Sequence, residues 1–437
     1  MGIEIPQGVK NINSYAFDAC DSLAEIVFPE SITSLGDRSF FRCMNLKRIV
    51  FKGNAPEMLG GTFERVTAEV FYPVNNESWT PEIMQNYGGT VNWKTYCTGE
   101  HTFGDWEISK PAAPGSEGEK YKECTACGER ITEKIEAIAV PSFSGASLTL
   151  QDNLTINYKV KKSMIEEGYE NPYVVFELDG RKVKVTEYKE DDTTLSFDFV
   201  DIAPNQMNDA VTATLYADYN GTEYVSEPRD YSVASYCYNM LSKYNTDQYA
   251  ELRTLLVDLL NYGAQSQIYT EHKLDSLVNA SLTDTQRAWG TNEDRTFATV
   301  QDAVYKIIEN PTVSWKGAGL NLKDRVEIRM MIAADSIENL TVKVTSESGG
   351  EWEIPAEKFE PAGDGRYNVS FNGLNAGQMS ESVYFTVYDG DKAVSNTARY
   401  SVESYAYAQI NKAEDAKLID IINAMMKYGD SAYNYAH

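Results

Sequence analysis

The chain has 437 residues, and its 65 acidic side chains against 39 basic ones give a formal net charge of −26 at pH 7. This charge repels the phosphates of nucleic acids and of anionic lipids, so we expect no nucleic-acid partner. The chain is too long for one hydrophobic core and therefore predicts several domains. Its apolar runs are short and interrupted by charge, which predicts no membrane span.

The N-terminal residues repeat with a period of 23. The matching pairs are Pro6 and Pro29, Cys20 and Cys43, Leu23 and Leu46, and Ile26 and Ile49. A unit this short cannot bury its apolar face alone, so consecutive copies must stack into a solenoid that offers a surface rather than a pocket. A degenerate copy over residues 55–93 is expected to cap the stack. Cys20 and Cys43 are expected to be free thiols in its core.

The runs Ala16–Cys20, Ile26–Pro29 and Leu46–Phe51 resemble the BspA-type leucine-rich repeats of bacterial surface proteins. The resemblance covers residues 1–95. It implies one short strand per coil and, at the level of the family, adhesion to a protein ligand. Because the first residues already match the middle of a repeat, we expect the chain to be a piece of a longer protein with a signal peptide and further repeats upstream.

Cys97 and His101 form one candidate ligand pair, and Cys124 and Cys127 form a second. Two such pairs separated by a loop are typical of a tetrahedral structural zinc site in which protein fills every position. The segment 96–138 has little core of its own and needs a covalent or metal staple. A disulfide and free thiols remain alternatives. The segment also resembles small Cys/His modules that follow such repeats in surface proteins, which implies a spacer.

The rest of the chain contains a duplication. Gly145–Leu148 matches Gly317–Leu320 at an offset of 172, and a Leu-rich helical stripe that ends at Tyr262-Gly263 matches one that ends at Tyr428-Gly429 at an offset of 166. Alternating strand patterns and the turn signals Asp179-Gly180, Asn220-Gly221 and Asp389-Gly390 predict a β-sandwich in each copy. The stripe predicts an amphipathic helix, whose glycine allows close packing on the sheet.

The predicted fold class is thus multidomain α+β, with a solenoid, a Cys/His module and two homologous sandwich-plus-helix modules. The connector is expected to contain a helix over residues 300–308, ended by Asn310-Pro311. The five predicted segments are 1–95 (repeats and cap), 96–138 (Cys/His spacer), 139–271 (first module), 272–313 (helical connector) and 314–437 (second module).

Catalytic chemistry has few candidates, because the only histidines are His101, His272 and His437. No phosphate-binding loop, dinucleotide fingerprint or zinc-protease motif occurs in the sequence. Cys237 is expected to be a thiol of the core rather than a nucleophile. We therefore expect no enzyme activity. Two groups of oxygen-bearing side chains are candidate calcium ligands, although neither has the spacing of a known calcium motif: Asp152-Asn153 with Asp201, and Asp389 with Asp391.

These patterns predict a non-catalytic, monomeric, extracellular or cell-surface protein that binds a protein or glycan through its repeats. The alternative is a carbohydrate-binding or accessory region of a larger secreted polysaccharide-degrading enzyme. Trp289, Trp315 and Trp352 would then be candidates to stack on sugars, although Trp315 aligns with Phe143 and is expected in the core. A passive stalk is a third possibility.

Overall fold

The computed structural model divides the chain into two compact units, Met1–Ala139 and Val140–His437. The described residues are 1–150, 154–297, 304–323 and 325–437. Both units are rich in β-sheet, and the second also contains the helices. The strands of the first unit are β1 (Gly2–Glu4), β2 (Asn11–Ile12), β3 (Glu25–Phe28), β4 (Ser34–Leu35), β5 (Arg48–Phe51), β6 (Glu57–Met58), β7 (Thr67–Pro73), β8 (Thr90–Tyr96), β9 (Glu107–Lys110), β10 (Gly118–Glu123) and β11 (Arg130–Ile135).

The repeats form a solenoid-like stack of parallel strands. One sheet has the order β1-β3-β5-β7-β8, and a second has the order β2-β4-β6. Ile3 pairs with Ile26, and Ile26 pairs with Ile49, so the first two steps of the sheet are each one period of 23 residues. Phe40 stacks on Phe17 with ring centroids 5.1 Å apart and contacts Phe63 at 6.0 Å. Equivalent side chains of successive copies therefore build one continuous core.

Aromatic side chains close the core of the repeats at its C-terminal end. Trp79 is 6% exposed, and its ring centroid lies 4.9 Å from that of Phe51 and 5.5 Å from that of Trp93. Its indole nitrogen donates a hydrogen bond to the carbonyl oxygen of Gly53. A buried indole with its one donor satisfied is a stable end for an apolar stack. The last strands of the first unit form a separate antiparallel sheet in the order β11-β10-β9.

The second unit begins with one set of sheets and helices, which we call copy 1. Its elements are β12 (Phe143–Thr149), β13 (Thr155–Lys161), α1 (Ser163–Glu166), β14 (Tyr169–Leu178), β15 (Arg181–Val185), β16 (Lys189–Glu190), β17 (Thr194–Phe199), a 3-10 helix (Pro204–Gln206), β18 (Val211–Tyr219), β19 (Thr222–Val225), β20 (Arg229–Tyr231), α2 (Val233–Lys243), a 3-10 helix (Asp247–Tyr249) and α3 (Ala250–Thr270). A short helix, α4 (Asp284–Arg287), follows.

A second set of elements, copy 2, completes this unit. Its elements are β21 (Val304–Lys306), β22 (Ser314–Asn321), β23 (Glu327–Ala333), β24 (Leu340–Ser346), β25 (Glu351–Pro355), a 3-10 helix (Ala356–Lys358), β26 (Glu360–Gly363), β27 (Arg366–Phe371), a 3-10 helix (Ala376–Gln378), β28 (Val383–Asp389), β29 (Lys392–Ala393), β30 (Thr397–Tyr400), α5 (Val402–Ile410) and α6 (Ala416–Ala436).

Strand order in copy 2 repeats that in copy 1, apart from the additional edge strand β21. Copy 1 has sheets β12-β13-β17-β16 and β15-β14-β18-β19, with β20 beside β18. Copy 2 has sheets β22-β23-β27-β26 and β21-β30-β28-β24-β25, with β29 beside β28. The register of the first strand pair shifts after Phe143 in copy 1 and after Trp315 in copy 2, at equivalent positions. In each copy the two sheets contact through aromatic rings, Tyr158 with Phe176 at 5.3 Å and Phe371 with Phe385 at 5.7 Å.

Two of the predicted hairpin turns have the expected geometry. Asp179 and Gly180 have φ angles of 49° and 78°, and Asn220 and Gly221 have φ angles of 49° and 77°. Positive φ at both central residues is what a type I′ turn requires, so these two predictions are confirmed. The third turn is displaced by one residue, because Asp389 pairs with Lys392 and Gly390 is the residue at φ 57°.

The two copies pack on each other through α3 and α6. Tyr262 stacks on Tyr428, its equivalent in the duplication, with ring centroids 5.9 Å apart and planes inclined by 12°. Gly263 and Gly429 follow these tyrosines, and each faces a 3-10 helix of its own copy rather than a strand. A Cβ added to Gly263 would lie 3.3 Å from the carbonyl oxygen of Pro204. The glycines thus allow close packing, as predicted, but against a different element.

The prediction of a helix over residues 300–308 is wrong at Val304–Lys306, which form a strand. Residues 298–303 lie outside the described residues, and Val304–Lys306 form β21, which pairs with β30 at the edge of a sheet. A three-residue strand at an edge gains its hydrogen bonds from the neighbouring strand, which local periodicity cannot reveal. In the described part of the predicted connector, the α-helix is α4.

Replacing Gly263 by Ala tests the close approach of α3. The new Cβ would lie 2.8 Å from Sδ of Met207 and 2.9 Å from Cγ1 of Val278, so neighbours must shift. Overpacking costs about 1–3 kcal/mol, and Ala returns about 1 kcal/mol of helix propensity, so we expect a net loss of about 1 kcal/mol. Urea unfolding followed by circular dichroism measures it. Gly145→Ala, whose Cβ meets open space, is the control. An unchanged Gly263→Ala midpoint would contradict the argument.

Candidate metal centre and binding surfaces

A tight turn at the end of β10 positions two of the predicted metal ligands. Cys124 follows the strand, and its backbone N–H donates to the carbonyl oxygen of Glu129 at 2.8 Å. The N–H of Gly128 donates back to the carbonyl oxygen of Cys124 at 2.9 Å, and Gly128 has a φ of 74°. Glycine adopts this backbone conformation at little cost. The turn therefore holds Cys124 and Cys127 on one short, rigid segment.

The structure brings all four predicted ligands together. The ligand atoms of Cys97, His101, Cys124 and Cys127 all lie within 4.8 Å of one another. Sγ of Cys97 lies 3.6 Å from Sγ of Cys124, and Sγ of Cys127 lies 3.4 Å from Nδ1 of His101. In a tetrahedral site with Zn–S bonds of about 2.3 Å, neighbouring sulfur atoms are about 3.8 Å apart. The donor set and its spacing therefore fit a zinc ion.

A carboxylate outside this set orients the histidine. Oε2 of Glu129 lies 3.2 Å from Nε2 of His101. A hydrogen bond from Nε2–H to this carboxylate leaves the lone pair of Nδ1 directed at Cys127. Metal-binding histidines commonly have such a partner, which fixes the tautomer and the ring orientation. Sequence reasoning did not assign this role to Glu129, although it lies next to the glycine that ends the Cys124–Cys127 turn.

The two cysteines that approach each other differ in acidity. Burial raises the pKa of the Cys124 thiol, but hydrogen bonds from the backbone N–H groups of Ala126 and Cys127, and from the Cys97 thiol, outweigh burial and lower it to about 6. Burial and hydrogen bonds from Cys97 to Cys127 and Cys124 raise the pKa of Cys97 to about 12. One thiolate among neutral thiols is therefore favoured, and thiolate is the form that binds metals.

The repeats present a second candidate site, the outer face of their larger parallel sheet. Ile26 and Phe28 point into the core, so the alternate residues Glu25 and Val27 point outward. Strand pairing places Glu25, Arg48 and Glu69 in one row across three strands, and Val27, Val50 and Phe71 in another. We call the Val27, Val50 and Phe71 row the apolar row. Its members Val27 and Phe71 are half-buried.

Charged side chains flank the apolar row in pairs. Arg48 lies 4.4 Å above the centroid of the Phe71 ring, and its Nε is 3.1 Å from Oε1 of Glu25. Lys94 pairs with Glu69, and Lys52 pairs with Glu4. The face therefore combines a central apolar strip with a balanced, exposed rim of charge. Such a composition is common in protein-binding surfaces.

A second cluster of metal-ligating side chains lies in copy 1. Asp179, Asp209 and His272 have ligand atoms within 4.8 Å of one another. Lys273, however, places its ammonium 2.7 Å from Asp209 and 3.0 Å from Asp179, and His272 lies 3.0 Å from Asp209. A protein cation thus occupies the position between the carboxylates. We interpret this cluster as an ion-pair network that binds the segment after α3 to the β14–β15 turn.

The predicted calcium ligands do not form a comparable cluster among the described residues. Asp152 and Asn153 lie outside the described residues, and Asp201 pairs with Arg181 at 3.3 Å. Asp389 and Asp391 belong to neither of the two metal-ligating groups found in the described parts of the chain.

The tryptophans proposed to stack on sugars make contacts within the protein. Trp289 is covered by the guanidinium of Arg253 at 4.5 Å, and Trp352 packs edge-on against Phe371 at 5.1 Å. Trp315 donates a hydrogen bond to the carbonyl oxygen of Asn396 and contacts Phe385. All three are half-buried.

The remaining cysteines are free thiols. Cys43 is buried, and its Sγ donates a hydrogen bond to the carbonyl oxygen of Phe17 at 2.9 Å. Cys20, one period earlier, is half-buried and packs against the same core. Cys237 in α2 is fully buried, and burial raises the pKa of its thiol. A buried thiol with a raised pKa is a poor nucleophile, in agreement with a core role.

Comparison with known proteins identifies the repeats. The sequence matches the model of the BspA type leucine rich repeat region in six copies over residues 2–79. No curated protein matches the chain. Among solved structures, the type I pullulanase from Bacillus subtilis str. 168 complexed with maltose is 9% identical with a TM-score of 0.13, and the match covers 59% of this chain and 24% of the pullulanase. The ICAM-5 D1–D4 ectodomain fragment is 7% identical with a TM-score of 0.15, covering 70% and 67%.

The chain thus spans about a quarter of the length of the pullulanase that it matches. Both TM-scores are too low to assign a fold or a function. Among the described residues, the structure has no helix with the length and apolarity needed to cross a membrane.

Replacing Lys273 by Met tests the ion-pair network. The side chain of Asp209 is 8% exposed, and it would lose the ammonium that lies 2.7 Å away. Because Lys273 is itself 44% exposed, we expect a loss of only about 1 kcal/mol in the free energy of unfolding, with most of it restored in Lys273→Arg. Thermal unfolding measures both variants. A rise in the wild-type Tm with Mn²⁺ that His272→Ala abolishes would instead identify a metal site.

Proposed function

We propose that this chain, whose residues 2–79 are a BspA-type leucine-rich repeat region, is a non-catalytic binding protein of the cell surface or extracellular space. In this proposal the repeats contact a protein or glycan partner, and the chain acts as a monomer. Proteins with these repeats are generally surface-associated and bind other proteins. The strong negative charge agrees with a soluble surface that avoids nucleic acid.

The observation that carries the proposal is the outer face of the parallel sheet. Equivalent residues of successive strands lie side by side there, so the apolar row runs continuously across three strands. Val50 is only 8% exposed, but Val27 and Phe71 are partly exposed, and covering them with a partner's apolar surface is favourable. Phe71 lies beneath Arg48 on a strand that has a neighbour on each side, and interface residues contribute most away from the edges.

We propose further that each copy in the second unit is a β-sandwich that serves as a spacer. The contact between the two sheets of each copy supports this assignment, since aromatic side chains from both sheets meet between them. The pairing of α3 with α6 would make the two copies one rigid body rather than two flexible beads.

For the Cys/His segment we propose a structural zinc ion bound by Cys97, His101, Cys124 and Cys127. Three thiolates and one imidazole would fill every position, so the ion would hold the turn after β10 against the end of β8 and would offer no site for water. Glu129 would orient His101 through Nε2. A disulfide between Cys97 and Cys124, whose sulfur atoms lie 3.6 Å apart, is the competing state.

Changing Phe71 to Ala tests the binding face. The full chain is passed over immobilised extracellular-matrix proteins and a glycan array, and the affinity for the partner so found is compared among variants. We expect Phe71→Ala to weaken binding by about ten-fold or more, because it removes the largest apolar contact of the face. Met44→Ala, at an exposed methionine away from this face, should bind normally. Failure of the full chain to bind either class, or unchanged binding by Phe71→Ala, would count against the proposal.

Elemental mass spectrometry of the purified full chain tests the zinc site. We expect about one zinc per chain, and a loss of most of it in Cys124→Ser, because that change removes the thiolate best prepared to bind. Cys20→Ser, which alters a thiol of the repeats, should keep its zinc. If the protein contains no metal and peptide mapping finds a Cys97–Cys124 disulfide, the zinc assignment is wrong and the segment is cross-linked by that disulfide.

A further inference from the structure

A groove lined with tyrosines lies where α2, the start of α3 and the end of α6 meet. Its volume is about 570 Å³, within the usual range of ligand sites. Tyr236 and Tyr244 come from α2 and its C-terminal end, Tyr249 from the 3-10 helix before α3, and Tyr435 from α6. The first three are half-buried, and Tyr435 is 39% exposed. We call these four residues the tyrosine groove.

Two rings of the tyrosine groove are in edge-to-face contact. The centroids of Tyr244 and Tyr249 are 4.6 Å apart, and their planes are inclined by 61°. Burial raises the pKa of Tyr236, and the nearby Cys237 and Tyr435 raise it further, so its hydroxyl stays neutral. Inclined rings present faces in more than one direction to a compact group bound in the groove. A sugar ring, in contrast, stacks best on a single flat platform.

The rim of the tyrosine groove is negatively charged. Asp247 and Glu251 line it, and both are exposed. Asp247 pairs with Arg253 at 3.1 Å, whereas the structure gives the side chain of Glu251 no partner among the described residues. The ammonium of Lys243 already lies 5.0 Å from the centroid of Tyr244. Arg253 and Lys243 therefore offset part of this negative charge, and Glu251 is the carboxylate of the rim that can attract a further cation to the other tyrosine rings.

We propose that the tyrosine groove binds a quaternary ammonium ligand, with choline as its simplest form. The methyl groups of such a cation contact the ring faces without leaving hydrogen-bond donors unsatisfied, and the charge is attracted by the ring quadrupoles. Glu251 repels phosphate, so we expect free choline to bind more tightly than phosphocholine. This function is separate from partner binding by the repeats and does not depend on it.

Isothermal titration of the full chain tests the proposal with three probes: choline, its uncharged isostere 3,3-dimethylbutan-1-ol, and phosphocholine. We expect choline to bind about ten-fold more tightly than either of the others, because only choline combines the cation with the absence of phosphate. Equal affinity for choline and the isostere would overturn the cation assignment. So would the absence of saturable choline binding in the millimolar range, or binding of a neutral oligosaccharide in its place.

Variants of the tyrosine groove locate the binding. Tyr249→Leu and Tyr435→Leu should each weaken choline binding by about ten-fold, while Tyr435→Phe, which keeps the ring, should bind nearly as the wild type does. Glu251→Gln should weaken binding less and reduce its salt dependence. Tyr188→Leu, at a 40% exposed tyrosine near Phe197, is the control. Because Tyr435 and Glu251 are exposed, these variants should fold. Wild-type affinity in both leucine variants would overturn the proposal.

Discussion

The burial of apolar faces between repeated copies is the constraint on which both units depend. One coil of the repeats exposes Phe40 or Ile26 unless the next coil covers it, and the register of the parallel sheet places Ile3, Ile26 and Ile49 in one column. In the second unit the same requirement is met by a single pair of copies, since α3 and α6 cover each other around Tyr262 and Tyr428. In the second unit this contact between copies adds to the core that each copy has between its own two sheets.

The Cys/His segment follows a different rule. Its strands β9 and β11 have mostly exposed residues, so little apolar area is available to hold it together. Short-range backbone hydrogen bonds around Gly128 and the convergence of four ligand atoms take the place of a core. We expect a segment of this kind to need a bound metal or a disulfide for stability. Its sequence therefore shows its ligands more plainly than its strands.

Features that depend on local spacing could be predicted from the sequence, whereas features assembled from distant segments could not. A period of 23 residues predicted the repeats, and two ligand pairs predicted the Cys/His cluster, because stacking and coordination each require fixed intervals. The strand at Val304–Lys306 was missed because its partner β30 lies about ninety residues further along the chain. The tyrosine groove likewise needs Tyr435 of α6 beside Tyr236 of α2, and only the packing of the helices selects these among 29 tyrosines.

The charge arrangement on the repeats bears on how their sheet face could recognise a partner. Arg48 and Lys94 are each matched by a glutamate on a neighbouring strand, and Lys52 is matched by Glu4 two coils away. Exposed pairs of this kind contribute little free energy and leave little net field to steer a charged ligand. Affinity at this face must then come mainly from covering the apolar row, while the paired charges select against partners that cannot match them. A partner with an apolar ridge suits the face better than a polyanion or a polycation.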